Sequence, residues 1–191
     1  MRQVQTVSGN AIPLNRADVD TDQIIPKQFL KRIERSGFGQ FAFFDWRKDP
    51  DFITNDPRYK GAPIMLAQQN FGCGSSREHA AWALQDYGFD VVIAPSFGDI
   101  FRSNAGKVGI VTIELAEQDV KELMEAVDLD RGSDVTVDLE QKTVTGPSGT
   151  VIPFEFDEST RYRLLNGLDD IGLTLQHEDA ITAFEVTRAG A

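Results

Sequence analysis

The sequence predicts an α/β fold with a mixed, partly parallel sheet flanked by helices and β-hairpins. Three observations carry this. In the middle of the chain short apolar runs (63–67, 91–94, 108–113) alternate with helical patterns (75–87, 98–105, 116–127), and strands joined that way need right-handed crossovers and parallel neighbours. Residues 135–139, 142–145 and 151–154 are short β-type runs with turn signals between them. The composition, 41% hydrophobic and 26% charged over 191 residues, is that of a folded chain.

In order along the chain, residues 6–14 carry Gly9-Asn10 between apolar flanks, a short hairpin signal. An acidic turn follows, Asp18-Val-Asp-Thr-Asp22, leading into Ile24-Ile25-Pro26. Residues 37–60 are rich in aromatic residues but follow neither helix nor strand period, and are expected to form a packed, irregular excursion. The helix at 75–87 is read from Ala80, Ala83, Leu84 and Tyr87, which recur at i, i+3, i+4 and i+7, with Gly88 suited to end it. Helical patterns at 158–165 and 178–185 close the chain. We read 1–191 as one domain, with about 150–191 a peripheral, mainly helical C-terminal extension.

Nineteen Lys and Arg against thirty Asp and Glu give a net charge of −11. Non-specific nucleic-acid binding needs clustered cations and is not expected. The one cysteine, Cys73, allows neither an intrachain disulfide nor an iron–sulfur cluster held by three or four thiolates. The first residues lack an apolar signal region and no run of 18 apolar residues occurs, so a cytoplasmic protein without a membrane span is expected.

The chemistry concentrates in Phe71-Gly-Cys-Gly-Ser-Ser-Arg-Glu-His-Ala-Ala81, at the carboxyl end of a predicted strand, where open α/β sheets place ligands. Ser75 with Glu78 fits a capping box. Arg77 falls in the first turn of the predicted helix, where the macrodipole makes a cation unfavourable by up to ~1 kcal/mol. A guanidinium accepted there points to an anion that the helix end also attracts. Gly72 and Gly74 allow close backbone approach, and hydroxyls at both Ser75 and Ser76 exceed what capping needs. Together these residues describe a site for a carboxylate or phosphate with a spare hydroxyl beside it.

Other motifs fail letter by letter. Arg77 stands where a dinucleotide fingerprint has its third glycine. Asp18, Asp20 and Asp22 match half a calcium loop, but Gln23 and Phe29 replace its glycine and glutamate. A Cys73–His79 thiolate pair lacks an orienting third residue, and His177 reads as a surface or capping residue.

Gly74-Ser-Ser-Arg-Glu-His79 followed by Ala80-Ala81 resembles the signature of the swivel domain of the aconitase superfamily. Asp20-Thr-Asp-Gln-Ile-Ile-Pro26, Gly37-Phe-Gly-Gln-Phe41, Phe44-Asp-Trp-Arg47 and Asn70-Phe-Gly-Cys-Gly74 narrow this to the bacterial-type small-subunit family of 3-isopropylmalate dehydratase. The resemblance spans nearly the whole chain and weakens after about Gly146. It implies a swivelling β/β/α domain docked on a large subunit that holds a [4Fe-4S] cluster, this chain holding no metal or cofactor. The implied activity is a hydro-lyase of leucine biosynthesis, interconverting 2- and 3-isopropylmalate through 2-isopropylmaleate. Carried over by residue, Ser75 is the base, Ser76 with Gly74 binds substrate, and Arg77 clamps a carboxylate of the small dicarboxylate. Asp20, Thr21, Asp22, Lys31 and Arg32 belong to a candidate lid or specificity loop, although a charged helix face explains Lys31, Arg32 and Arg35 equally well. The alternatives are the small subunit of a homoaconitase- or citraconate hydratase-type enzyme, and a non-catalytic anion-binding module.

Overall fold

In the computed structural model, which describes residues 1–31, 36–130 and 133–189, one seven-stranded sheet organises the chain. Its order is β4-β3-β2-β1-β5-β6-β7, with β1 at Thr6–Leu14, β2 at Ile64–Ala67, β3 at Val91–Ala94, β4 at Val111–Glu114, β5 at Asp134–Asp138, β6 at Thr143–Thr145 and β7 at Val151–Pro153. Strands β1 to β4 pair in parallel, while β1, β5, β6 and β7 pair antiparallel. Every residue of β2 and β3 is buried, as expected for the covered middle of a parallel sheet.

Strand β1 belongs to both halves of the sheet. Residues Thr6–Asn10 pair with β5 and Ala11–Leu14 with β2. The hairpin expected at Gly9-Asn10 is therefore not formed, and the chain runs straight through. Gly9 has a different purpose: a Cβ there would stand 2.9 Å from the Pro63 ring, so only glycine lets β1 change partners against the start of β2.

The helices are α1 (Thr21–Ile24), α2 (Glu78–Tyr87), α3 (Asp99–Val108), α4 (Glu117–Leu129), α5 (Glu158–Asn166), α6 (Asp170–Leu175) and α7 (Glu178–Ala189). Helices α2 and α3 pack on each other, and α4 packs on β1, β2 and β3. The helical patterns located α2 to α5 and α7 but placed α2 three residues early, and they did not reveal the single turn of α1 or the short α6. Residues 37–60 form a chain of 3-10 turns whose Phe38, Phe43, Phe52 and Tyr59 are buried. The excursion is fastened to α2 by Phe38 N donating to Asp86 (2.8 Å) and Tyr87 Oη donating to the Thr54 carbonyl (3.1 Å). At the C-terminus, Leu164 of α5 is buried and its carbonyl holds Val4 N at 2.9 Å. By contrast, residues 178–188 of α7 are all exposed. His177 precedes α7, and its carbonyl accepts from Ile181 N, the first bond of that helix.

Candidate active site

The Phe71–Arg77 loop leaves β2 and is stitched to the segment before α1. Gly72 N donates to the Val19 carbonyl (2.7 Å), Thr21 N to the Cys73 carbonyl (3.0 Å) and Thr21 Oγ1 to the Ser75 carbonyl (2.8 Å). Asn70 Nδ2 reaches Asp18 at 2.7 Å. Two glycines make the path feasible. Gly72 has φ +75° and Gly74 φ +89°, a region costly to a residue with a Cβ. At Gly72 a Cβ would also lie 2.2 Å from the ring of Phe101, which supports the loop from below.

Helix α2 begins at Glu78, with Arg77 as its N-cap in extended conformation (φ −146°, ψ 115°) and no side chain capping it. The Ser75–Glu78 capping box is thus not formed. Ser75 sits two residues before the cap, in a loop whose left-handed glycines turn the chain around α1. The first-turn amides of α2 consequently keep their hydrogen-bonding capacity, which favours an anion there. A capping box does exist nearby: Asp20 accepts from Gln23 N (2.8 Å) and Gln23 Oε1 accepts from Asp20 N (2.9 Å).

Ser75 and Ser76 are exposed. A cleft of about 200 Å³ runs between residues 72–75 and residues 98–101, where α3 begins. Ile100, half exposed, stands on its rim. A larger hollow of about 300 Å³ lies between α3 and α5, but its Arg102 and Arg163 are engaged by Glu114 and Asp170.

Arg77 has a partner that the sequence did not announce. Nη1 lies 2.5 Å from Asp22 Oδ1 and Nη2 2.9 Å from Asp22 Oδ2, an end-on bidentate pair. The guanidinium side chain is 13% exposed and the carboxylate side chain 50%. The hydrogen bond from Arg77 holds the Asp22 carboxyl below its ordinary range, with further help from the Arg77 charge and the Lys27 amide. Two other residues of the candidate lid are committed as well. Asp20 caps α1, and Thr21 is buried beneath the loop. Asp20 and Thr21 are thereby tied to the loop that carries Ser75, with Asp22 beside them. Lys31 is exposed in a turn, and Arg32, like Arg35, lies outside the described residues.

Neither Cys73 nor His79 is set up for nucleophilic work. Burial, reinforced by Asp20 and Asp18, raises the Cys73 thiol above its usual value, which suppresses the thiolate. His79 packs against Phe38 and Trp82, and burial lowers its pKa. Asp18, Asp20 and Asp22 each have their own partner. Among the described residues no three His, Cys, Asp or Glu side chains converge on a metal position. With a single cysteine in the sequence, the donor set of this chain does not fit an iron–sulfur cluster.

The corner carrying two exposed serines and an arginine, in a sheet that is half parallel and half antiparallel, lies in a stretch of the chain of the aconitase C-terminal domain class. The aconitase C-terminal domain family matches residues 1–118, a segment described as LeuD_N matches 121–158, and the C-terminal domain family of the 3-isopropylmalate dehydratase small subunit matches 170–191. The 3-isopropylmalate dehydratase small subunit of Rubrobacter xylanophilus is 58% identical over 98% of this chain and 96% of its own length. That of Clavibacter michiganensis is 56% identical over 99% and 92%. The crystal structure of 3-isopropylmalate dehydratase from Methanocaldococcus jannaschii superposes with a TM-score of 0.71 at 27% identity, covering 94% of this chain and 99% of that one. The chain belongs to the small-subunit family of 3-isopropylmalate dehydratase, a branch of the aconitase-type hydro-lyases, with a role in leucine biosynthesis. A small subunit implies a large one. Among the described residues no helix is long and apolar enough to cross a membrane.

Proposed function

We propose that this chain supplies the base and one carboxylate clamp of a two-subunit enzyme that interconverts 2- and 3-isopropylmalate through 2-isopropylmaleate in the cytoplasm. We further propose that residues 1–191 act as one swivel domain, with about 150–191 as its peripheral extension. In this reading Ser75 Oγ, as its alkoxide, takes the proton from the carbon next to a substrate carboxylate. The electron pair left behind forms the double bond as hydroxide departs from the neighbouring carbon. Ser75 then delivers its proton to the carbon that lost hydroxide, and hydroxide adds to the carbon that lost the proton, which completes the exchange. Arg77 steadies the carboxylate on which negative charge builds, and Ser76 with the backbone at Gly74 hydrogen-bonds the same group.

The observation that carries this is the loop itself. It leaves Ser75 exposed while the Ser75 carbonyl is tied to Thr21 and nearby Arg77 is held by Asp22. Two deficits in the same loop argue for a partner. An exposed serine is a poor base until water is excluded. One guanidinium, already facing Asp22, answers only one carboxylate of a dianion. We assign the cover, further cations and the iron–sulfur cluster that assists hydroxide departure to the large subunit.

The test is reconstitution. Mixing this chain with a cluster-bearing large subunit should generate 2-isopropylmaleate absorbance from 3-isopropylmalate, with neither chain active alone. A complex that turns over a tricarboxylate but not isopropylmalate would overturn the substrate reading, and full turnover by the large subunit alone would overturn the role of Ser75.

A further inference from the structure

The Arg77–Asp22 pair bears on how substrate reaches the guanidinium. Asp22 could be a placeholder that substrate displaces, or a permanent fitting. The anchoring of α1 separates the two. Asp22 follows Thr21, which is 2% exposed and holds the Ser75 and Cys73 carbonyls, and it precedes Ile24 and Ile25, both fully buried. The capping box of Asp20 and Gln23 fixes the same turn from its other end. The Asp22 backbone is thus pinned to the loop that carries Ser75, and only rotation of its half-exposed side chain would open the pair. A carboxylate on so fixed a backbone, paired by two hydrogen bonds, is set to hold the guanidinium rather than to swing clear of it.

We propose that Asp22 is a positioning residue, holding the Nη1–Nη2 edge of Arg77 throughout turnover so that the substrate carboxylate docks on the Nε edge. This rests on Arg77 being the carboxylate clamp. The guanidinium has hydrogens enough for both. An end-on pair uses one hydrogen on each terminal nitrogen, and a guanidinium has five. The Nε hydrogen and the outer Nη hydrogens make no hydrogen bond among the described residues. Asp22 thereby fixes the plane of the guanidinium, and so the direction from which a carboxylate can be met by two parallel bonds. The lowered pKa of Asp22 keeps it ionised, and the pair intact, throughout the neutral range.

The test is a double-mutant cycle in the reconstituted two-subunit enzyme, with Asp22→Asn, Arg77→Lys and both together. Asp22→Asn should lower kcat/KM for 3-isopropylmalate about 10- to 100-fold, as expected when a clamp loses its alignment. On the Arg77→Lys background the same change should cost less than about 3-fold, because the group it positions has gone. A defect of folding or subunit docking would instead multiply both backgrounds alike, and that additive result would overturn the proposal. So would an unchanged kcat/KM, or a lowered KM, which marks a placeholder. If Arg77→Lys is itself silent, the clamp reading fails and takes this inference with it. If Arg77→Lys is damaging while Asp22→Asn is not, only the positioning role fails.

Discussion

Gly72→Ala measures how tightly the Ser75 loop is built, because two separate costs fall on one methyl group. Gly72 has φ +75°, and an L-residue in that left-handed region costs ~1–2 kcal/mol. The added Cβ would also stand 2.2, 2.5 and 2.6 Å from Phe101 Cγ, Cδ1 and Cβ. Phe101 has little freedom to retreat: it is 2% exposed, edge-on to Phe71 at 5.4 Å and stacked on Phe97 at 6.4 Å. Overpacking of this kind costs ~1–3 kcal/mol. Together the two give ~2–5 kcal/mol, a fall in Tm of ~4–20 °C for a chain of this size. Gly74→Ala is the control. Its φ is +89°, but the nearest atom to its Cβ would be Asp20 Cβ at 3.4 Å, so it bears the conformational cost alone, ~2–8 °C. Thermal unfolding followed by circular dichroism reads both. If Gly72→Ala melts within about 2 °C of wild type, or if Gly74→Ala is the more damaging, the loop is not wedged on Phe101 and the reasoning is wrong.

Other regions give independent checks. Asp157 caps α5 by accepting from Thr160 N (2.8 Å) and Thr160 Oγ1 (2.7 Å), and Asp157→Ala should cost ~0.5–2 kcal/mol in chemical denaturation. These bonds lower the Asp157 pKa below its ordinary 3.8. The cap's contribution is therefore fully present above that value and is lost as pH falls through the lowered one. The wild-type advantage over Asp157→Ala should accordingly hold from neutral pH to about 4 and shrink only below it. Removing α7, whose residues 178–188 are all exposed, should shift the Tm of the isolated chain by no more than about 2 °C, since little packing is lost.

The strands and main helices were legible because burial writes plain patterns. The all-apolar β2 and β3 can only be the interior of a covered sheet, and the i, i+3, i+4 spacing of Ala80, Ala83 and Leu84 can only face it. What the sequence concealed were features decided by tertiary contact. Two segments fit the capping-box template, Ser75 to Glu78 and Asp20 to Gln23, and only the second forms one. The first is overruled by two left-handed glycines and by the ladder to α1. Gly9-Asn10 has hairpin chemistry, yet Pro63 and two different partner strands keep it extended. The segment carrying the site was recognisable from its serines and Arg77. The partner of Arg77 was not, since Asp22 is 55 positions away and reads locally as part of an acidic turn. Only the parallel stitching of residues 18–21 to 69–75 brings them together.

Ser75 as the base is the group on which the proposed reaction depends most directly. In the reconstituted enzyme Ser75→Ala should reduce kcat by about 10²–10⁴-fold, the usual worth of a positioned acid–base group, while KM stays within about 3-fold and the variant still associates with the large subunit. A Ser75→Ala enzyme that keeps more than about a tenth of the wild-type kcat, or that loses substrate affinity instead of turnover, would show that the proton is taken by another group.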